Sequence, residues 1–276
     1  MRLRLLGPPE LLDDAGVPVP ISGTKRRALL ATLAVRADRT VSMPKLIEEL
    51  WGAAPPANAT NALQAHIGRL RKAMTAACRE DRLTTTPPGY SLRLTESETD
   101  TQEFTRLVTT ARTATDPTPH LRAALSLWRG PALDGCTAGD ICAAEASALE
   151  ETRLTTMEAL YETHLGNGRH REVIADLTES TTMYPLRERF YAQLMRALCR
   201  SGRESDALAV YSRARSRFIT ELGVEPGPAL RAQAQAIRTA ETPADLTREV
   251  AELQARIDAL VTRQAELLQR LSTQRT

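Results

Sequence analysis

Hydrophobic spacing changes repeatedly along this chain, and each change marks an element. Over residues 1–22, Leu3, Leu5 and Leu11 alternate with polar or turn residues, while Pro8, Pro9, Gly16, Pro18 and Pro20 forbid a helix, so short strands are expected. From Lys25 to Ala37 the residues Leu29, Leu30, Leu33 and Ala34 recur at helical spacing, with Thr24 as the expected cap. Val41 is a one-residue strand candidate. Ser42 followed by Pro44 opens a short second helix through Leu46, Ile47, Leu50 and Trp51, and Gly52 ends it. The loop AAPPAN leads into a longer helix over 59–77 whose apolar stripe is Leu63, Ile67, Leu70 and Met74. Leu83 to Thr86 and Tyr90 to Leu94, around Pro87-Pro88-Gly89, read as a hairpin with Tyr90 and Leu92 facing inward. Three helices followed by a two-stranded wing is the winged helix-turn-helix arrangement, in which the third helix enters the major groove.

Beyond Leu94 the pattern becomes helix after helix, broken at Asp116-Pro117, Gly130-Pro131, 135–139, 166–168, Pro185, Gly202 and 223–227. GRHREVIADL begins at Gly168 and GRESDALAVY at Gly202, and this 34-residue spacing is that of tetratricopeptide helix pairs. After Pro243 a last uninterrupted helix is expected. Its residues Leu246, Val250, Leu253, Ile257, Leu260, Gln264, Leu267 and Leu271 alternate in steps of four and three, the seam of a coiled coil. Val250 and Ile257 at a, with Leu253, Leu260 and Leu267 at d, favour two parallel strands, a homodimer. The apolar e residues Val261 and Leu268 and the absence of g–e ion pairs favour packing within one chain instead, and both readings stay open. The fold class expected is mainly α with a small β part. Its parts are a winged helix over 1–95, a tetratricopeptide-like all-α domain over 99–243 and a coiled-coil-like helix over 245–276.

Charge sharpens this picture only when split by region. Residues 1–95 hold fourteen Lys and Arg against eight Asp and Glu, and residues 96–276 hold 22 against 26. A basic first third suits a polyanion and an acidic remainder suits protein partners. On the third helix, Asn61, Gln64, Ala65, Gly68, Arg69 and Lys72 point away from the apolar stripe, with His66 and Arg71 on its flanks. Asn61, Gln64 and His66 can reach base edges or phosphates, and Arg69 and Arg71 supply charge. Lys25 and Arg26 at the start of the first helix, with Ser91 and Arg93 in the wing, are expected on phosphates. The cysteines Cys78, Cys136, Cys142 and Cys199 contain no CxxC pair and read as buried thiols; no metal site is expected. No phosphate loop, HExxH or GxSxG stands in the chain, so catalytic residues, an enzymatic activity and a cofactor are not expected. With no bilayer-length apolar run and no signal sequence, the expectation is a cytoplasmic protein without membrane contact. The competing class is a tetratricopeptide-type interaction scaffold without specific DNA binding, which would show no salt-sensitive affinity for duplex DNA.

Several longer stretches carry a family resemblance: LGPPEL, GTKRRALLATLAVRADRTVS, LIEELWG, APPANATNALQAHIGRLRKAM, PPGYSLRL, LSLWRGPAL, YPLRERFYAQLMRALCRSGRESDALAVYSRAR and ELGVEPGPALR. In this order they resemble the Streptomyces antibiotic regulatory protein family, activators that join an OmpR-type winged helix to a bacterial transcriptional activation domain. The resemblance implies an activator of secondary-metabolite genes that binds direct repeats in double-stranded promoter DNA. It further implies recruitment of RNA polymerase through the σ factor and the C-terminal domain of the polymerase α subunit. It places Asn61, Ala65, His66, Arg69, Arg71 and Lys72 on DNA and adds Thr24 to the phosphate set. It also gives the loop Ala53, Ala54, Pro55, Pro56, Ala57 and Asn58 to polymerase. No receiver domain with a phosphorylatable aspartate is part of the match.

Overall fold

The computed structural model describes residues 1–239, apart from 79 and 96–97, together with 253, 254, 256 and 257. They divide into two compact units, Met1–Thr163 and the residues from His164 onward.

The first unit opens with β1 (Arg2–Arg4), β2 (Glu10–Leu12) and β3 (Pro18–Val19), an antiparallel sheet in that order. Then come α1 (Thr24–Val35), β4 (Val41–Ser42), α2 (Met43–Trp51) and α3 (Ala59–Ala77), followed by β5 (Leu83–Thr86) and β6 (Gly89–Leu92). The wing hairpin gains β4 as a third strand, in the order β4-β6-β5, with Ser42 opposite Gly89. Ser42 accepts the Lys45 N–H at 3.4 Å and so caps α2 as its spacing suggests, while Gly52, at φ 57°, ends that helix. The start of α1 differs from the sequence expectation. Gly23, at φ 94°, is the capping residue and Thr24 is the first helical residue, with no side-chain cap bond. A positive φ admits glycine at no steric cost, so the chain enters α1 more sharply than a threonine cap allows.

The same unit continues into α4 (Asp100–Ala111), α5 (Thr118–Ser126) and, as far as Thr163, α6 (Asp140–Gly166). Leu3, Leu6, Leu29, Leu33, Leu46, Leu63, Leu70, Leu92, Phe104 and Leu133 belong to one continuous buried core, so no break in packing occurs between the wing and α4. Polar groups reinforce the seam. The buried Asp100 carboxylate accepts the Leu5 N–H at 2.6 Å and the Leu6 N–H at 3.1 Å, and Leu133 N–H donates to the Leu5 carbonyl. Arg129 reaches Glu10 at 3.1 Å and donates to the Pro8 carbonyl.

The second unit holds a single tight helical turn (His170–Val173), α7 (Ile174–Met183), α8 (Glu188–Cys199), α9 (Glu204–Leu222) and a helical stretch over 228–239. The 34-residue repeat is visible as geometry: Gly168 and Gly202 both adopt φ 74°, and Val173 and Ala207, one period apart, are both buried. Phe190, Leu194, Met195, Val210, Ala214, Phe218, Leu230 and Ala234 complete its core. Of the expected C-terminal seam, Leu246, Val250, Leu260, Gln264, Leu267 and Leu271 lie outside the described residues. Leu253 and Ile257 are helical and exposed.

Candidate nucleic-acid interface

The third helix presents the surface its sequence pattern suggests. Leu63, Ile67, Leu70 and Met74 are buried, which turns Asn61, Gln64, Ala65, Gly68, Arg69 and Lys72 outward, all exposed. Gly68 lies in the middle of that stripe, and a Cβ built there would meet nothing within 4 Å, so the helix backbone itself is open to close approach. Among the described residues Arg26, Arg69 and Lys72 form no ion pair; Arg69 and Lys72 are exposed and Arg26 is half-buried.

His66 records the local field. Its ring stands 6.0 Å from the Trp51 ring, centroid to centroid, and its Nδ1 is buried without a hydrogen-bond partner. Burial holds its pKa below the ordinary value of 6.5, and the positive charges of Arg26, Arg69 and Lys25 lower it further. The start of α1 and the exposed face of α3 thus concentrate cationic charge at one place. Lys25 also donates to the Leu50 carbonyl, tying the first turn of α1 to the end of α2. Thr24 is exposed beside it.

Two of the expected contacts take other positions. Arg71 is turned to the wing: Nε donates to the Leu83 carbonyl at 2.8 Å, Nη2 to Thr85 Oγ1 at 2.8 Å, and the guanidinium lies 6.0 Å from the Tyr90 ring centre. It is a strut between α3 and β5. Ser91 is buried on β6, because β6 is the central strand and is covered on both sides, so its hydroxyl is withdrawn from the surface. Arg93, past the end of β6, is exposed and donates one bond to the Asp81 carbonyl at 3.0 Å, which leaves donors facing outward. The loop Ala53, Ala54, Pro55, Pro56, Ala57 and Asn58 is exposed throughout. The wing threonines Thr85 and Thr86 are exposed on β5, and Thr85 is the residue that accepts from Arg71.

Among the described residues no cluster of metal-ligating side chains occurs and no helix is long and apolar enough to cross a membrane. Cys78, Cys136 and Cys142 are buried free thiols; burial pushes Cys136 and Cys142 each up to about 11, which keeps them protonated and unreactive.

A winged helix with an exposed cationic third helix, continued by an all-helical domain, defines a class of DNA-associated transcription regulators. Comparison with known proteins agrees. Residues 19–92 match the C-terminal domain of transcriptional regulatory proteins, and residues 99–238 match the bacterial transcriptional activator domain. The chain is similar to the transcriptional regulator RedD of Streptomyces coelicolor, 42% identical over 240 residues that cover 84% of this chain and 68% of RedD. It is 36% identical to the regulatory protein DnrI of Streptomyces peucetius, over 89% of this chain and 94% of DnrI. Among solved structures, Mycobacterium tuberculosis EmbR in complex with a low affinity phosphopeptide superimposes with a TM-score of 0.79 at 34% identity, over 91% of this chain and 70% of EmbR. The chain belongs to the Streptomyces antibiotic regulatory protein family of transcriptional regulators.

Proposed function

We propose that this protein activates transcription by laying the exposed face of α3 in the major groove of promoter DNA and bringing RNA polymerase to that site. The observation that carries this reading is the exposed stripe Asn61, Gln64, Ala65, Gly68, Arg69 and Lys72, with Lys25 and Arg26 adding charge beside it. Asn61 and Gln64 suit adenine edges, Arg69 suits guanine, and Ala65 offers a methyl contact to thymine. Lys25, Arg26, Thr24 and Arg93 hold phosphates and set register without reading sequence. The exposed loop 53–58 and the helical region 99–243 face polymerase, through its σ factor and the C-terminal domain of its α subunit. Pro55-Pro56 restricts the loop's shape before any partner arrives.

The family membership supports a role at secondary-metabolite promoters, and the proposal extends it to promoters that carry direct repeats. On this reading the working modules are 1–95 on DNA, 99–243 on polymerase and 245–276 as the C-terminal helix. The exposed Leu253 and Ile257 support pairing of two chains through that helix.

The deciding experiment is a gel-shift and footprint series on the promoter fragment with increasing salt. Affinity should fall linearly on a log–log plot with a slope set by the phosphates neutralised, and Arg69→Ala with Lys72→Ala should abolish the footprint. Binding that ignores salt would favour the scaffold reading instead. Light scattering of the full chain against a truncation at Ala240 tests the pairing of chains.

A further inference from the structure

The winged helix and the helices after it meet at a buried carboxylate that faces no DNA. Glu49, in the last turn of α2, is 4% exposed, and its two oxygens accept the Ile141 N–H at 3.0 and 3.1 Å. Ile141 is the second residue of α6, where backbone N–H groups lack partners within the helix and the helix dipole is positive. The residues leading into α6 are Thr137, Ala138 and Gly139, and Glu49 supplies from another helix the acceptor that this end of α6 needs. Gly139 makes room for it: a Cβ there would overlap Glu49 Oε2 and sit 2.8 Å from the Glu49 carbonyl oxygen. Lys45, one turn earlier on α2, balances the charge at 3.4 Å from Glu49 and 3.9 Å from Asp140. The same turn of α6 touches α1 through Cys142 Sγ and Thr32 Oγ1, 3.5 Å apart. All of these residues lie in the first unit.

Apolar packing alone holds two helices together but lets them slide. A buried carboxylate with its bonds fixed to one N–H does not, because any slippage strands a charge in the interior. We infer that Glu49 is a positioning residue that locks α2 of the DNA-binding motif to the start of α6, so that DNA held by α3 also holds α4 to α6 in one orientation. The inference rests on the proposed DNA binding, and it assigns Glu49 no contact with DNA.

The test uses the full chain and the promoter fragment that wild type shifts in a gel. Hydrogen exchange is followed by mass spectrometry with and without that DNA, for wild type, Glu49→Gln and Gly139→Ala. The first variant keeps the side chain's size and removes its charge. The second displaces the carboxylate from the α6 side and leaves every residue of 1–95 intact. In wild type, DNA should slow exchange at least tenfold both in α3 and in the first three turns of α6. In both variants the α3 protection and an affinity within threefold of wild type should remain, while the α6 protection disappears and transcription in a purified assay falls at least fivefold. A merely structural role would instead lower melting temperature and DNA affinity together. Protection of α6 that persists in both variants, or that never arises in wild type, overturns the inference. Lost α6 protection with unchanged transcription upholds the lock and sinks the reading in which these helices serve activation.

Discussion

Arg69 and Arg71 stand two positions apart on α3 and serve different ends. Arg69 is exposed with no ion pair among the described residues, whereas Arg71 spends its donors on the Leu83 carbonyl and Thr85. Arg71→Ala should therefore cost about 1–2 kcal/mol of stability, since hydrogen bonds from charged donors are worth more than neutral ones. Arg69→Ala should leave the melting temperature unchanged and weaken specific DNA binding at least tenfold; parallel melts and gel shifts separate the two. His66 gives a pH signature. Its folded pKa lies below 6.5, so the stability due to its neutral ring is fully present above pH 6.5 and is lost as pH falls from there through the lowered value. On the proposed DNA binding, phosphates held beside Lys25, Arg26 and Arg69 would favour the imidazolium, so DNA affinity should rise as pH falls over the same interval. His66→Gln should flatten both trends, which melts and gel shifts from roughly pH 5 to 7.5 would show.

The elements of the winged helix follow from local rules, and their pairing from packing. The extent of α2 was legible because a serine–proline start, a glycine stop and an apolar stripe of helical period agree with one another, and that of α3 because its apolar stripe follows the AAPPAN loop. The third wing strand was less legible, since two residues, Val41 and Ser42, carry almost no pattern and become a strand only by pairing with β6. That pairing depends on Gly89, where a Cβ would overlap the Val41 carbonyl oxygen and lie 2.7 Å from Ser42 Cα. Gly89→Ala should force β4 from β6 and cost about 1–3 kcal/mol, as overpacking of a tight contact does. Thermal melts check the loss, and weakened binding of specific and non-specific DNA alike would place it in the wing.

At the scale of the molecule, the first compact unit reaches well beyond the winged helix. Leu3 and Leu6, fully buried, share a core with Phe104 and Leu133, and Asp100 satisfies the Leu5 and Leu6 amides. The sequence expectation that the winged helix is a part bounded at 1–95 takes no account of this. A fragment ending at 95 uncovers apolar surface of both leucines, up to about 1.5–3 kcal/mol each, and takes from the Leu5 and Leu6 N–H groups their Asp100 acceptor. We expect fragment 1–163 to melt in one transition and to bind DNA within a few-fold of the full chain. Fragment 1–95 should melt about 10 °C lower or more, given how few kcal/mol a domain of this size has in hand. Circular dichroism melts of the two fragments decide the matter.

What the sequence determined by itself was local and periodic: the helices and hairpin of the winged domain, the outward face of α3, the 34-residue spacing of Gly168 and Gly202, and the absence of catalytic motifs. These are legible because side-chain period and chain breakers act over a few residues. The tertiary structure alone decided that Arg71 braces the wing, that Ser91 is buried, and that Asp100 and Glu49 bond to backbone 95 and 92 residues away. Those choices turn on which backbone amides are left without partners once helices pack, and a buried amide takes whichever carboxylate the fold brings within reach, whatever its distance along the chain.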